Sequence, residues 1–160
     1  MRDSENGIFD YQSTNDQVSG ITLPSTIEHW FKKIGYNNVV NRTNLFWDKG
    51  IDTLVKAQKA YSSGHHVCLF INSKLVSLPF STMLTPNHWV VLSDNIKVDG
   101  KALHTIPNDE LDDLDEKQIE VKVSTWGHRQ LKLDKRNAAT KITADEFTDY
   151  FFGYVAAKKT

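Results

Sequence analysis

One stretch of the chain, HHVCLFIN at positions 65–72, limits the possible folds more than any other. It contains an unbroken apolar run from Val67 to Ile71. A strand with one wet face alternates polar and apolar side chains, whereas a continuous apolar run is typical of a strand buried on both faces. We therefore expect a central strand in a sheet that is covered on both sides.

Two helical patterns precede this strand. Residues 24–35 carry apolar side chains at three- and four-residue spacing, with Ser25 and Glu28 placed as a capping box. Residues 51–64 show a second helical pattern that ends at a glycine. Mostly alternating strand patterns follow. This order predicts an α+β fold in which N-terminal helices pack on a mainly antiparallel sheet, rather than a βαβ repeat.

The chain divides into an arm and one domain. Residues 1–20 are polar with scattered aromatic side chains, which indicates an extended arm. Residues 21–160 are enough for a single α+β domain with its own core. Near the end, Thr143 and Glu146 form another capping box, which predicts a short helix before the last strand.

Residues 88–99 read as a β-hairpin, HWVVL and IKVD joined by the polar turn SDN. If the turn is Ser93-Asp94, His88 lies directly opposite Asp99, and if it is one residue later the two are diagonal neighbours. Both registers place the two side chains on one face, because side chains alternate along a strand. The hairpin thus predicts an imidazole beside a carboxylate.

An imidazole oriented by a carboxylate is what a thiolate–imidazolium hydrolase requires. The same pair is also common as a structural or surface feature at strand ends. The residues alone leave both interpretations open.

The HWVVL hairpin, followed by a strand that ends in STWG, resembles papain-like cysteine peptidases. The likeness is greatest to bacteriocin-processing peptidases and to bacterial toxin or effector domains. It implies a papain-like fold in residues 20–157, with His88 as general base and Asp99 orienting it. Ser124 stands where the papain motif has asparagine. By the same likeness, Trp89, Trp126 and Gly127 belong to the substrate groove.

The nucleophile of that family is missing at its expected place, the beginning of the first long helix. Cys68 is the single cysteine, and its apolar strand surroundings predict a silent, protonated thiol. Ser25 is a substitute nucleophile only if its capping role is set aside. Two hypotheses follow: the His-bearing part of a papain-like thiol hydrolase, whose cysteine lies upstream, or a non-catalytic pseudoenzyme that binds protein or peptide. Besides a protein or peptide substrate, the expected partners are an upstream cysteine-bearing segment or a second copy of the chain.

Composition narrows the remaining classes of function. A net charge of −1 gives no general attraction to nucleic acid or to anionic membranes, and no run approaches the roughly 18 apolar residues of a membrane span. We expect no cofactor and no metal, because His65 and His66 point to opposite faces of a strand and the acidic run 109–116 lacks calcium-loop spacing. Without a signal peptide, the expected location is the cytoplasm, or wherever a specialised secretion system delivers the chain.

Overall fold

The computed structural model describes residues 23–45, 47–72, 75, 86, 88–124 and 142–159. These residues form three α-helices, nine β-strands and two short 3-10 segments. In chain order they are α1 (Pro24–Lys33), β1 (Asn38–Thr43), α2 (Ile51–Ser62), β2 (His66–Ile71), β3 (His88–Leu92), β4 (Lys97–Val98), β5 (Lys101–Ala102), the 3-10 segments Leu103–Thr105 and Asn108–Asp113, β6 (Gln118–Glu120), β7 (Val123–Ser124), β8 (Ile142–Thr143), α3 (Ala144–Thr148) and β9 (Phe151–Lys158).

The strands form two antiparallel sheets. The larger sheet has the order β1-β9-β2-β3-β7, and the smaller has the order β5-β4-β6-β8. β2 lies at the centre of the larger sheet, and its residues from Val67 to Ile71 are all buried. The predicted central strand and the α+β class are therefore confirmed.

The larger sheet is covered on both faces. On the side that we call the α1 face, α1 packs against an apolar cluster made of Ile27, Trp30, Phe31, Cys68, Phe70, Trp89, Phe152, Val155 and Ala157. On the opposite side, the α2 face, the core is shared by α2, α3 and the smaller sheet. Alternate residues of β2 supply each face, so a single strand joins the two halves of the core.

α1 begins differently from the prediction. Its N-cap is Leu23, with no side-chain cap, and Pro24 occupies the first turn, where a missing N–H costs nothing. Ser25 therefore lies inside the helix, and the predicted Ser25–Glu28 capping box is wrong. The Glu28 carboxylate instead accepts hydrogen bonds from Lys32 at 3.0 Å and Asn41 at 3.2 Å. These bonds hold the pKa of Glu28 below its usual range and tie α1 to β1.

α3 begins as predicted. Thr143 is its N-cap, and the hydroxyl Oγ1 of Thr143 accepts a hydrogen bond from the backbone N–H of Glu146 at 3.2 Å. Such a bond satisfies one of the otherwise unpaired N–H groups of the first turn. The cap fixes the helix directly before β9.

β9 contains a bulge at Gly153. Leu69 of β2 pairs with Tyr154, whereas Ile71 pairs with Phe151, so β9 uses one residue more than its partner. Gly153 has a φ of +116°, a conformation that only glycine adopts readily. The extra residue turns both Phe151 and Tyr154 toward the α2 face.

Among the residues that the structure describes, no helix has the length and apolar character needed to cross a membrane.

Candidate functional site

The predicted hairpin of residues 88–99 is wrong. β3 pairs with β2 on one side and β7 on the other, while β4 pairs with β5 and β6 in the other sheet. The polar segment between them does not turn back, since the N–H of Ser93 donates to the carbonyl of Lys122 and the chain crosses to the smaller sheet. His88 and Asp99 are consequently not cross-strand neighbours.

Asp99 lies in the turn that follows β4, with a left-handed φ of +52°. Its carboxylate accepts a hydrogen bond from the ammonium group of Lys117 at 3.2 Å, and both side chains are exposed. The two residues line a cleft of about 170 Å³ in the smaller sheet, which is smaller than the roughly 300 Å³ at which ligand pockets usually begin. Asp99 is thus engaged in a surface ion pair.

His88 begins β3, directly opposite Ile71. The residue is half-buried and its Nε2 atom is buried. Alternation along the strand places its side chain on the same side as Val90 and Leu92, which is the α2 face. The catalytic role of His88 stays a prediction.

The STWG motif begins at Ser124, the last residue of β7, and β7 lies beside β3. Its Ser124 is exposed and pairs with Val91, which packs on the α1 face. Since directly opposed residues share a face, Ser124 and His88 point to opposite sides of the sheet. Trp126 and Gly127 lie outside the described residues.

Trp89 belongs to the core. Only 2% of its surface is exposed, and its ring stacks on Phe70 with the centroids 4.3 Å apart and the planes 17° apart. Offset stacking of this kind stabilises a core beyond the buried area alone. This burial does not favour the predicted contact with a substrate, which stays a prediction.

Cys68 is buried on the α1 face, as predicted. Burial among apolar side chains raises the pKa of its thiol to about 12, because the thiolate would lose its hydration there. The side chain of His88 points to the other side of the sheet, so the two do not form a nucleophile–base pair. Cys68 is a structural residue.

Sequence reasoning missed a buried polar cluster centred on Gln58 of α2. The side-chain amide donates to Asn95 Oδ1 at 2.7 Å and lies 2.9 Å from His104 Nδ1, and its oxygen accepts the N–H of Ile96 at 2.6 Å. The backbone N–H of Ile96 can only donate, which fixes the orientation of the amide. His104 Nδ1 must therefore be an acceptor. The signal was present, because Gln58 follows Leu54 by four residues on the inward stripe of the helix.

A second missed feature is the loop between β1 and α2. Trp47 exposes 70% of its surface and Leu45 exposes 38%. We call the described residues 44–45 and 47–49 the Trp47 loop. Two backbone hydrogen bonds join it to β9, from Asn44 N–H to the carbonyl of Phe152 at 3.0 Å and from Lys49 N–H to that of Phe151 at 2.7 Å. Within the loop, Trp47 N–H donates to the side-chain Oδ1 of Asn44 at 3.1 Å. The loop that carries the exposed tryptophan is therefore hydrogen-bonded to the beginning of β9.

Carboxylates lie near the base of this loop. Burial, together with the neighbouring charges of Asp145, Asp48 and Glu146, raises the pKa of the Asp149 carboxyl. We call these four residues the acidic rim. Within the described part of the chain, no three or more histidine, cysteine, aspartate or glutamate side chains are grouped so as to hold a metal ion.

Comparison of the chain with protein-family models, with curated proteins and with solved structures found no match.

Proposed function

We propose that this chain is a non-catalytic binding module for a protein or peptide, and that the Trp47 loop is its contact surface. The observation that carries the proposal is the 70% exposure of Trp47 on a loop held by backbone hydrogen bonds. The proposal corresponds to the pseudoenzyme hypothesis of the sequence analysis.

An exposed tryptophan on a fixed loop is well suited to binding. Tryptophan and tyrosine dominate the binding energy of many interfaces, because they bury a large area and lose few rotatable bonds. Burying the ring of Trp47 against a partner contributes about 3 kcal/mol from apolar area alone. The anchoring bonds of Asn44 and Lys49 lower the entropic cost, since the loop is ordered before the partner arrives.

The non-catalytic part of the proposal is based on the environments of two side chains, Cys68 and Asp99. Nucleophilic attack needs a thiolate, and burial keeps the thiol of Cys68 protonated. The carboxylate of Asp99 is engaged by Lys117 in the other sheet. Neither residue supports a hydrolytic centre built around His88.

Panning a random peptide library on the chain tests the binding function. We expect enriched peptides that bind wild type and lose about tenfold or more in affinity for Trp47→Ala, as removal of an aromatic anchor does. Leu23→Ala and Ile34→Ala are matched controls, since both side chains are exposed but lie at the ends of α1. Peptides that bind Trp47→Ala as tightly as wild type would overturn the proposal.

Alkylation tests the non-catalytic part. Iodoacetamide should modify Cys68 slowly in the native chain at pH 7 and rapidly after unfolding in guanidinium chloride. Rapid modification of the native chain would restore Cys68 as a nucleophile and refute this part of the proposal.

A papain-like thiol hydrolase is the second candidate, and one observation favours it. His88 begins a strand that lies beside β7, the strand that leads into TWG, as the resemblance implies. In this proposal a preceding segment supplies the cysteine, and the module acts in the cytoplasm or after specialised secretion. The substrate is a protein or peptide. Its test is peptide hydrolysis by the cysteine-bearing assembly, which should be lost in His88→Ala and retained in Asp99→Asn.

A further inference from the structure

The surface around the Trp47 loop combines apolar exposure with an excess of negative charge. Trp47 and Leu45 supply the apolar part. Asp48 follows Trp47 directly, and the hydrogen bond from Lys49 N–H to the carbonyl of Phe151 brings the loop beside Asp149, two residues earlier. Asp145 and Glu146 occupy the first turn of α3, close enough to Asp149 for their charges to raise its pKa.

We infer that the partner of the Trp47 loop is a basic peptide segment, in which lysine or arginine side chains flank an apolar one. This inference rests on the proposed function, and it specifies the chemistry of the partner.

The charges argue for this partner. The acidic rim contributes four carboxylates, and Lys49 is the basic residue of the loop itself. The pKa of Asp149 is raised partly by repulsion from its acidic neighbours, so a bound ammonium or guanidinium group would relieve a repulsion that already exists. Complementary charges of this kind select among partners and accelerate their association.

The same charges argue against an anionic membrane as the occupant. A tryptophan at a loop tip also suits insertion at a bilayer interface. Membrane-binding surfaces normally pair such residues with lysine and arginine, which attract anionic lipids. Here the charges beside the tryptophan loop are acidic, and acidic groups are repelled by an anionic membrane.

The experiment uses two fluorescein-labelled peptides of equal length. Both carry one phenylalanine, flanked by lysines in one peptide and by glutamates in the other. Fluorescence anisotropy is measured with wild type, with Trp47→Ala and with the triple variant Asp145→Asn/Glu146→Gln/Asp149→Asn. The control is Asp109→Asn/Glu110→Gln/Asp113→Asn, which removes the same charge from an exposed 3-10 segment.

We expect the basic peptide to bind wild type at least about tenfold more tightly than the acidic one. Its affinity should fall about tenfold in Trp47→Ala and in the rim variant, and it should change less than about twofold in the control. Raising the salt from 50 to 500 mM should weaken the binding to wild type more than the binding to the rim variant. Carboxyl NMR should show the pKa of Asp149 falling when the basic peptide binds.

Other outcomes overturn the inference in distinguishable ways. If both peptides bind equally and both need Trp47, the charge inference fails while the proposed function stands. If the basic peptide binds Trp47→Ala as tightly as wild type, binding is unspecific attraction to acids, and both proposals fail. If vesicles of phosphatidylcholine and phosphatidylglycerol (3:1) bind through Trp47 and neither peptide does, the surface is a membrane contact and the inference is wrong.

Discussion

The two faces of the larger sheet are built from the same strands but are closed in different ways. On the α1 face, one helix closes an apolar cluster in which the rings of Phe70 and Trp89 are stacked. On the α2 face, the core extends beyond the helix into a second sheet. There the fully buried side chain of Gln58 interrupts the apolar packing with directed hydrogen bonds.

The difference follows from what each face must hold. The α1 face holds a single helix, which is kept in place by close apolar packing and by the surface hydrogen bond from Asn41 of β1 to Glu28. A second sheet has to be held in one orientation. Gln58 reaches from α2 to Ile96, Asn95 and His104, all in the segment that carries the chain through the smaller sheet. Burying polar groups costs free energy because they lose their hydration. When all of them are hydrogen-bonded, however, they fix one orientation of the packed elements.

The largest expected effect comes from a residue that both faces share. In Gly153→Ala, the added Cβ would overlap the carbonyl oxygen of Arg42 and lie 2.6 Å from the Cα of Thr43, at a φ of +116°. Strain and backbone overlap together should lower the free energy of unfolding by about 4 kcal/mol, measured by urea denaturation. Both faces should loosen together, because Phe151 and Phe152, next to the bulge, pack on opposite faces of the sheet and both lose their places.

Gly100→Ala separates the cost of a positive φ in alanine from the cost of overlap between the added Cβ and the backbone. Gly100 also has a positive φ, +81°, but an added Cβ meets nothing within 4 Å. It should lose only about 1 kcal/mol. Equal losses at the two glycines would show that β9 is not pinned against β1 at the bulge.

Gln58→Met tests the polar tie of the α2 face. The side chains are similar in size, but methionine cannot accept the N–H of Ile96 or donate to Asn95 and His104. Leaving these partners unsatisfied should lower the free energy of unfolding by about 2–3 kcal/mol. Leu54→Met, on the same inward stripe of α2, is the control and should cost less than about 1.5 kcal/mol. If Gln58→Met is no less stable than Leu54→Met, the hydrogen bonds of Gln58 do not stabilise the α2 face, and the proposed difference between the two faces is wrong.

The sequence predicted what depends on local pattern. The unbroken run from Val67 to Ile71 predicted a doubly covered strand, because no face of it tolerates water. Thr143 predicted the start of α3, because a cap is formed within four residues. The predicted Ser25 cap was wrong because the helix already begins at Pro24, and the sequence pattern does not decide between these two starting points.

The candidate site was not predictable in the same way. Pairing HWVVL with IKVD assumed that neighbouring strands form a hairpin, whereas hydrogen bonds with β2, β7, β5 and β6 divide them between two sheets. That choice depends on distant residues, so His88 and Asp99 were wrongly paired. Trp47 was overlooked for a related reason, since its exposure is set by tertiary packing. The burial of Gln58 could have been predicted, because it lies four residues after Leu54 on the inward stripe of α2.

Titration of Cys68 sharpens the comparison on the α1 face. Its pKa is raised by burial from 9.0 to about 12, so above pH 9 the unfolded chain loses this proton and the folded chain keeps it. Stability must then fall as pH rises, by about 1 kcal/mol between pH 8 and pH 10. Cys68→Ala should be less stable at pH 8 but should lack this part of the decline. Parallel pH profiles for the two proteins would mean that the α1 face admits water.

The smallest expected effect concerns the outer edge of the α2 face, where α3 carries the acidic rim. The folded-state pKa of Asp149 is raised, chiefly by burial and then by Asp145, Asp48 and Glu146. Its ionisation therefore costs stability, and the cost appears as pH rises through the ordinary value near 3.8. Asp149→Asn removes that cost, so above about pH 5 it should be more stable than wild type by a few tenths of a kcal/mol, a small gain because the group is exposed. At pH 3, where both forms are neutral, the gain should vanish.

Asp109→Asn controls for the change in net charge. A gain that is equal at pH 3 and pH 7, or a loss at pH 7, would show that the folded-state pKa of Asp149 is not raised.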